Sequence, residues 1–195
     1  MRILPKKSAV ARRALLFYLL RMKATGACPP RKPVSKILWS WVGAFAGIYL
    51  VALLGNYAEL RGINSIFLIG SFGASAVLVY GAPMADFSQP RNLVGGHVVS
   101  AFVGVTVFML FKEPALASAT AVSLAVMAMH FTRTLHPPGG ATALIAVIGG
   151  GKVHALGYGY VFSPVLVGAI VMLLVALLVN NLSTNPKRHY PTYWL

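Results

Sequence analysis

Apolar residues occupy this chain in long blocks, and glycine, proline or charged residues separate the blocks. Six apolar segments follow residue 36, at about 37–57, 63–82, 93–111, 115–132, 141–149 and 161–181. Most approach the ~20 residues that a transmembrane helix requires. The second is interrupted at Gly70-Ser-Phe-Gly73 and the fifth is far too short. The pattern therefore predicts several full spans and two broken or half-length helices.

The composition favours the same class of protein. Of 195 residues, 57% are hydrophobic and 10% are charged, which is more apolar than a soluble domain of this length needs. We therefore predict an all-α polytopic membrane protein with three regions. They are a basic arm at 1–36, a transmembrane domain at 37–182 and a tail at 183–195.

Positive charge is concentrated at the ends of the chain. Seventeen Lys and Arg residues face three acids, for a net charge of +14, and ten of the seventeen precede the first apolar segment. The positive-inside rule predicts a cytoplasmic N-terminus. The tail is also basic, so the number of crossings should be even. Six crossings place Arg91 and Arg133 inside, whereas four crossings, with the second and fifth segments re-entrant, place them outside. The charge rule slightly favours six.

The arm contains a short apolar run, Ala14–Leu20, flanked by basic residues. A signal peptide is one interpretation, but the following Cys28-Pro-Pro-Arg-Lys-Pro33 stretch makes a poor cleavage site. We favour an amphipathic helix on anionic lipid headgroups of a bacterial-type inner membrane. No nucleic-acid partner is expected, and the single cysteine excludes a disulfide framework.

Two short sequence matches suggest an internal duplication. Gly73-Ala-Ser-Ala-Val-Leu78 resembles Gly140-Ala-Thr-Ala-Leu-Ile145, and Leu93-Val-Gly95 resembles Leu166-Val-Gly168. The two repeats would cover 37–111 and 115–181, with three passages each. Three passages per half invert the second half, and matched broken helices in inverted repeats indicate a binding site at the bilayer midplane.

The two breaks favour an anion as ligand. A helix N-terminus offers free N–H groups and partial positive charge, and no acid lies inside any apolar segment. We predict that the site lies where the two breaks meet, and that Arg91, Arg133 and His130 guard its mouth. The predicted binding residues are Gly73, Ala74, Ser75, His97, His136, Pro137, Pro138, Gly139, Gly140, Ala141 and Thr142.

Structural roles remain open for the same residues. His97 follows two glycines and would also fit a hydrogen bond across a close helix contact. His136 would also serve as a helix cap, His130 as a structural or interfacial residue, and Arg133 as a topology marker. An enzyme is not expected, because no carboxylate is placed to complete a hydrolytic triad. No cofactor or metal is predicted, since His130 and His136 lie six residues apart without a Cys or acidic partner.

Several motifs together resemble the HPP family of integral membrane proteins. They are Gly70-Ser-Phe-Gly-Ala-Ser-Ala-Val-Leu-Val-Tyr-Gly-Ala-Pro83, Gln89-Pro-Arg-Asn92, Gly95-Gly-His97 and His136-Pro-Pro-Gly-Gly-Ala-Thr-Ala143. The resemblance covers roughly residues 35–182. It implies four transmembrane segments, fewer than the six apolar segments counted above. Because plastid and cyanobacterial members are associated with nitrite transport, it also implies a nitrite-like substrate.

The expected function is therefore transport of a small inorganic anion, by a carrier or a channel, passive or coupled to protons. The alternatives are a channel for another small anion and a membrane scaffold or sensor that acts through the basic arm. Small-residue helix faces make a homo-oligomer compatible with the sequence.

Overall fold

The structure, a computed structural model, describes residues 7–61, 67–183 and 188–195. All regular elements within those ranges are helical, which confirms the predicted all-α polytopic membrane fold. The chain divides into an arm at 1–32 and a compact unit at 33–195. The unit thus begins slightly before the predicted boundary at residue 36.

The arm contains helix α1 (Lys7–Leu20). Arg12 and Arg13 precede seven consecutive apolar residues, and the side chains of Leu15–Leu20 are exposed. The predicted helix is confirmed, but its amphipathic character is wrong. A continuous apolar run covers every side of a helix, so charged and apolar residues separate along the axis and not onto two faces.

Among the described residues of the compact unit, four helices are long and apolar enough to cross a membrane. They are α2 (Val34–Leu60), α4 (Arg91–Leu110), α5 (Pro114–Phe131) and α8 (Val161–Leu182). The described shorter helices are α3 (Gly70–Gly81), α6 (Pro137–Ile148) and α7 (Gly150–His154). At 12 residues each, α3 and α6 are about 18 Å long, well short of the ~30 Å hydrocarbon core. Two half-length helices were predicted in these segments, although the predicted start at residue 63 lies outside the described residues.

Local sequence sets where two of these helices begin. Helix α6 starts with Pro137 and Pro138, which suit a first turn because its N–H groups have no partner within the helix. Helix α5 starts at Pro114, and the Glu113 carboxylate accepts hydrogen bonds from the backbone N–H groups of Leu116 and Ala115. These two bonds lower the pKa of Glu113 below its ordinary value.

Contacts at one end of the unit fix the directions of several helices. Arg188, after α8, donates to the carbonyl of Lys36 at the start of α2 and to that of Tyr80 at the end of α3. Asn92, at the start of α4, donates to the carbonyl of Leu135 just before α6. The starts of α2, α4 and α6 therefore lie at the same end as the finish of α3 and α8.

The opposite end gathers the late residues of α4 and α6. Phe108 stacks on the His154 ring at a centroid distance of 3.8 Å, and His154 Nε2 bonds the Val147 carbonyl at 2.9 Å. The described helices therefore alternate in direction along the chain, and the short helices α3 and α6 cover only part of the distance between the two ends. Arg91 and Arg133 lie at the same end as the tail, in one cavity wall with Tyr193 and Leu195, and the number of crossings stays a prediction.

The two short helices lie between the long ones. Helices α3 and α6 pack on each other, α2 packs on α3 and α8, and α5 packs on α6 and α4. Helix α4 opens with a wide π-helical turn at Arg91–Gly95, whereas the first residues of α8 contain a kink at Ser163, whose φ of −134° and ψ of 116° are not helical. Two inverted three-helix halves would produce this pairing, and the duplication itself stays a prediction.

Residues 188–195 of the tail pack on the helices of the unit, and we call these residues the strap. The side-chain amide of Asn181 accepts a hydrogen bond from the backbone N–H of Tyr190 and donates one to the Tyr190 carbonyl. The Tyr190 hydroxyl donates to the Ser88 carbonyl, and the N–H of Thr192 donates to Gln89 Oε1. Burial raises the pKa of the Tyr190 phenol. The strap thus fixes the loop between α3 and α4.

Candidate functional site

Four polar side chains are completely buried where α3, α4 and α6 meet. Ser75 is the sixth residue of α3, Thr142 is the sixth of α6, and His97 is the seventh of α4. His136 immediately precedes α6. All four have a relative exposure of 0%. We call these four side chains the imidazole network.

Short hydrogen bonds join the network into one chain. Ser75 Oγ lies 2.7 Å from His97 Nε2 and 2.8 Å from His136 Nε2. His97 Nδ1 lies 2.7 Å from Thr142 Oγ1. The two rings meet edge to face, with centroids 4.9 Å apart. The chain ends at the Phe87 carbonyl oxygen, 2.7 Å from His136 Nδ1.

That last hydrogen bond fixes the direction of the others when both imidazoles are neutral. A carbonyl only accepts, so His136 Nδ1 carries the proton and its Nε2 accepts from the Ser75 hydroxyl. Ser75 Oγ then accepts from His97 Nε2, and His97 Nδ1 accepts from the Thr142 hydroxyl. In this arrangement, each hydrogen bond of the network has one donor and one acceptor.

Close backbone contact between α4 and α6 makes the network possible. A Cβ atom on Gly96 would lie 2.5 Å from the His136 Cβ, and one on Gly104 would lie 2.6 Å from the Ala143 carbonyl oxygen. A Cβ atom on Gly139 would lie 2.7 Å from Ser100 Oγ. The glycines at these positions therefore hold the two helices at the distance that the hydrogen bonds need.

Two further hydroxyls lie beside the network without a partner. Ser71 and Ser100 are completely buried, and their Oγ atoms have no hydrogen bond within the described residues. Ser71 precedes Ser75 by one helical turn, and Ser100 follows His97 by three residues, so each shares a helix face with the network. The sequence prediction omitted both as binding residues, although this spacing was readable.

A cavity of about 410 Å³ opens behind the network, on the side of the tail. Phe87, whose carbonyl ends the hydrogen-bond chain, and Leu135, which precedes His136, both belong to its wall. The predicted mouth residues share this wall. Its polar and charged lining residues are Asp86, Arg91, Asn92, His130, Arg133 and Tyr193.

Cations outnumber anions among the described side chains of the cavity wall. The wall contains two guanidiniums, those of Arg91 and Arg133, and one side-chain carboxylate, that of Asp86. Arg91 lies over the Tyr193 ring at 5.3 Å, while its Nε is buried without a partner among the described residues. The cavity therefore suits a negatively charged ligand.

Arg133 occupies a backbone conformation that favours glycine. Its φ is +58° just after α5, where the N–H of Thr134 donates to the Met129 carbonyl and that of Arg133 to His130. This is the Schellman ending of a helix, in which the left-handed residue is usually glycine. Glycine or asparagine would adopt this conformation at a lower energetic cost than arginine does.

The predicted backbone donors are not free. Gly73, Ala74 and Ser75 lie beyond the first turn of α3, which begins at Gly70. Helical residues there donate to carbonyls of the preceding turn. In α6 the free donors are fewer still. Pro137 and Pro138 have no N–H, and the N–H of Gly139 donates to the His136 carbonyl.

Gly140, Ala141 and Thr142 lie beyond that first turn of α6, so their N–H groups also belong to the helix. The prediction of a site built from backbone donors is therefore wrong in its geometry. The polar groups that meet are instead the hydroxyls of Ser75 and Thr142 and the two imidazoles, all predicted, together with the Phe87 carbonyl, which the sequence did not suggest.

The described residues contain no cluster of three or more His, Cys, Asp or Glu that could hold a metal ion. His130 is exposed at the end of α5 and belongs to the cavity wall. His136 is buried in the network. The two histidines therefore occupy different environments.

A family model described as the HPP transmembrane region matches residues 29–191. The chain belongs to this family. Two transmembrane proteins of Dictyostelium discoideum are each 46% identical to it, over 181 and 170 residues. The alignments cover 91% and 85% of this chain but only 57% and 58% of those relatives. No solved structure matches. The His-Pro-Pro motif of this HPP protein therefore supplies one imidazole of the network and both prolines that start α6.

Proposed function

We propose that this HPP protein moves a small inorganic anion across the membrane, with nitrite as the leading substrate. The observation that carries the proposal is the buried imidazole network, in which hydroxyls and imidazoles meet between two helices too short to span. A desolvated monovalent anion needs hydrogen-bond donors, and beside the network the hydroxyls of Ser71 and Ser100 have no partner among the described residues. The family resemblance supports nitrite in particular.

The cavity would collect the anion and pass it towards His136. Arg91, Arg133 and His130 would raise the local anion concentration at its wall. From there the path would lead past Phe87 and Leu135 to the network. Ser71 and Ser100 offer hydroxyls that hydrogen-bond no described residue, and the anion would accept from them.

The bilayer orientation is part of the proposal. The start of α2 and the docked tail lie at one end of the unit, and both are basic in sequence. By the positive-inside rule, this end and the cavity would face the cytoplasm. The arm would contact anionic headgroups of a bacterial-type plasma membrane, and a homo-oligomer stays a prediction.

Uptake into proteoliposomes tests the proposal. Nitrite, nitrate, formate, chloride and divalent metal ions would be compared with protein-free liposomes as background. Thr142→Val removes a buried hydroxyl at nearly constant volume, so we expect it to abolish most anion uptake without loss of protein. Thr120→Val makes the same change at a half-buried position on α5, outside the network, and should keep full uptake.

Each result has a definite reading. Preference for another anion would replace nitrite while keeping the path. Equal uptake by Thr142→Val and wild type would overturn the network as the path. Absence of protein-dependent uptake of every ion would overturn transport and favour the scaffold or sensor alternative, in which the basic arm acts.

A further inference from the structure

The imidazole network can accept one extra proton without moving a heavy atom. With His136 doubly protonated, its Nε2 donates to Ser75 Oγ, and Ser75 donates to His97 Nε2. His97 then carries its proton on Nδ1 and donates to Thr142 Oγ1. The Thr142 hydroxyl no longer donates to His97 and donates instead to the Pro138 carbonyl, 3.3 Å away. All contacts stay matched, with three of them reversed in direction.

A relay along the same contacts converts the neutral network into the protonated one. A proton arriving at Thr142 Oγ1 forms a new O–H bond, and the original hydroxyl proton passes to His97 Nδ1. The His97 Nε2 proton passes to Ser75, and the Ser75 proton passes to His136 Nε2. Each transfer breaks one O–H or N–H bond and forms another, so no oxidant or reductant is needed.

We propose that the imidazole network is the binding site for one proton, which moves as the co-substrate of the anion. The coupling to an anion rests on the function proposed above. His136 lies at the N-terminus of α6, where the helix dipole disfavours a cation. A monovalent anion bound beside the network would supply the missing negative charge, so that proton and anion bind together and cross as a neutral pair.

The surroundings of the network favour this pairing. Within the described residues, no Asp, Glu, Lys or Arg side chain hydrogen-bonds to any of its four side chains. Tyr160 donates to the Thr142 carbonyl, and Phe72 on α3 packs edge-on against His97. Helix α8 carries no ionisable side chain in its sequence, and α5 contributes only His130.

The other ionisable groups near this end have partners or positions elsewhere. Tyr80 on α3 donates to the Met172 carbonyl. Asp86, Arg91, His130 and Arg133 line the cavity, beyond the Phe87 carbonyl. Glu59 and Arg61 lie at the far end of α2 and are exposed. No described carboxylate thus neutralises an imidazolium at His136, which leaves that role to the transported anion.

Nitrogen NMR of the histidine-labelled full chain tests the proton site independently of transport. At neutral pH we expect His136 as the Nδ1–H tautomer and His97 as the Nε2–H tautomer. On acidification, His136 should become an imidazolium while His97 changes to the Nδ1–H tautomer with the same midpoint. Single His→Gln variants at His130, His154 and His189 assign the remaining signals. A His97 tautomer that stays unchanged through the His136 titration would overturn the proposal.

Ser75→Ala interrupts the relay between the two rings, whereas Ser123→Ala removes an exposed hydroxyl of α5 as a matched control. In Ser75→Ala the His97 tautomer should no longer follow His136, and Ser123→Ala should behave as wild type. Coupled behaviour that survives in Ser75→Ala would contradict the relay.

Proton and anion uptake measured together test the coupling. A pH-sensitive dye inside proteoliposomes should report one proton per anion for wild type, after subtraction of the permeation of free acid through protein-free liposomes. Anion uptake without proton uptake would overturn the coupling and leave the proposed function standing. A coupled tautomer change without any anion uptake would overturn the proposed function and leave the proton site standing.

Discussion

Gly96 of α4 and His136, the residue before α6, approach so closely that a Cβ atom on Gly96 would lie 2.5 Å from the His136 Cβ. Side-chain carbon atoms do not approach this closely without displacement. The contact therefore fixes the position of His136 in the imidazole network. It also requires glycine at position 96, because any larger residue would displace His136. Gly73 on α3 differs, because nothing lies within 4 Å of a Cβ atom built there.

Alanine at these two glycines should have opposite effects. Gly96→Ala overpacks the contact with His136, which should destabilise the fold by about 1–3 kcal/mol. Gly73→Ala adds a methyl group to a helix in open space and should be neutral, or stabilising by up to about 1 kcal/mol. Thermal unfolding in detergent, followed by circular dichroism, measures both. Similar midpoints for the two variants would contradict the described packing.

Replacing Arg133 should separate stability from transport. Glycine or asparagine at this position relieves the left-handed strain, so Arg133→Gly and Arg133→Asn should raise stability by about 1 kcal/mol. Both variants remove a cation from the cavity wall and should slow anion uptake, most visibly at low ionic strength. Arg133→Lys keeps the charge and should retain most uptake. Undiminished uptake by Arg133→Asn would exclude Arg133 from the mouth.

The strap depends on Arg188. Its Nη2 lies 2.9 Å from both the Tyr80 carbonyl oxygen and Asn180 Oδ1, and burial lowers the pKa of the guanidinium. Arginine still stays charged at neutral pH. Because Arg188→Met leaves these acceptors unpaired, it should destabilise the fold by about 1–3 kcal/mol.

Lys112→Met removes an exposed charge at the opposite end and serves as the control for Arg188→Met. Thermal midpoints in detergent compare the two variants, and trypsin cleavage of the tail reports whether the strap has detached. A strap that stays protected in Arg188→Met would show that the Tyr190 and Thr192 contacts suffice.

Acid should weaken the start of α5 through Glu113. Its pKa in the fold is lowered by the N–H groups of Leu116 and Ala115, so the charged cap stabilises the fold above the ordinary glutamate pKa. This contribution is lost as the pH falls through the lowered value. Glu113→Gln should therefore lower the thermal midpoint at about pH 7 and show little further difference from wild type at about pH 3.

Glu59→Gln, an exposed glutamate late in α2, is the matched control for this prediction. Its effect on the difference between the neutral and acid midpoints should be smaller than that of Glu113→Gln. Equal effects of the two variants at both pH values would rule out a special contribution of the cap.

Local sequence was sufficient for the elements of this fold. Hydropathy predicted the four long helices within a few residues, because a span must be apolar over its whole length. The break at His136-Pro-Pro predicted a new helix start, since proline suits a first turn. The arm was harder, because the run Ala14–Leu20 predicted a helix but not which faces it presents.

The pairing of residues across helices was not readable in this way. The sequence singled out Ser75, His97, His136 and Thr142, but it assigned the ligand contacts to backbone N–H groups near Gly73 and Gly140. The structure joins the four side chains to one another and to the Phe87 carbonyl. No local rule specifies a contact between residues 49 positions apart, such as His136 and Phe87.

The sequence by itself determined the class of protein, the helices, the half-length of two of them and the polar residues between them. Those properties follow from hydropathy and backbone chemistry, which act over a few residues. Only the tertiary structure decided that the imidazoles share one hydrogen-bond chain, that Arg91 and Arg133 share one cavity, and that the tail closes over α3 and α8. Those relations depend on how closely helices approach, which the packing of α4 against α6 at Gly96, Gly104 and Gly139 sets.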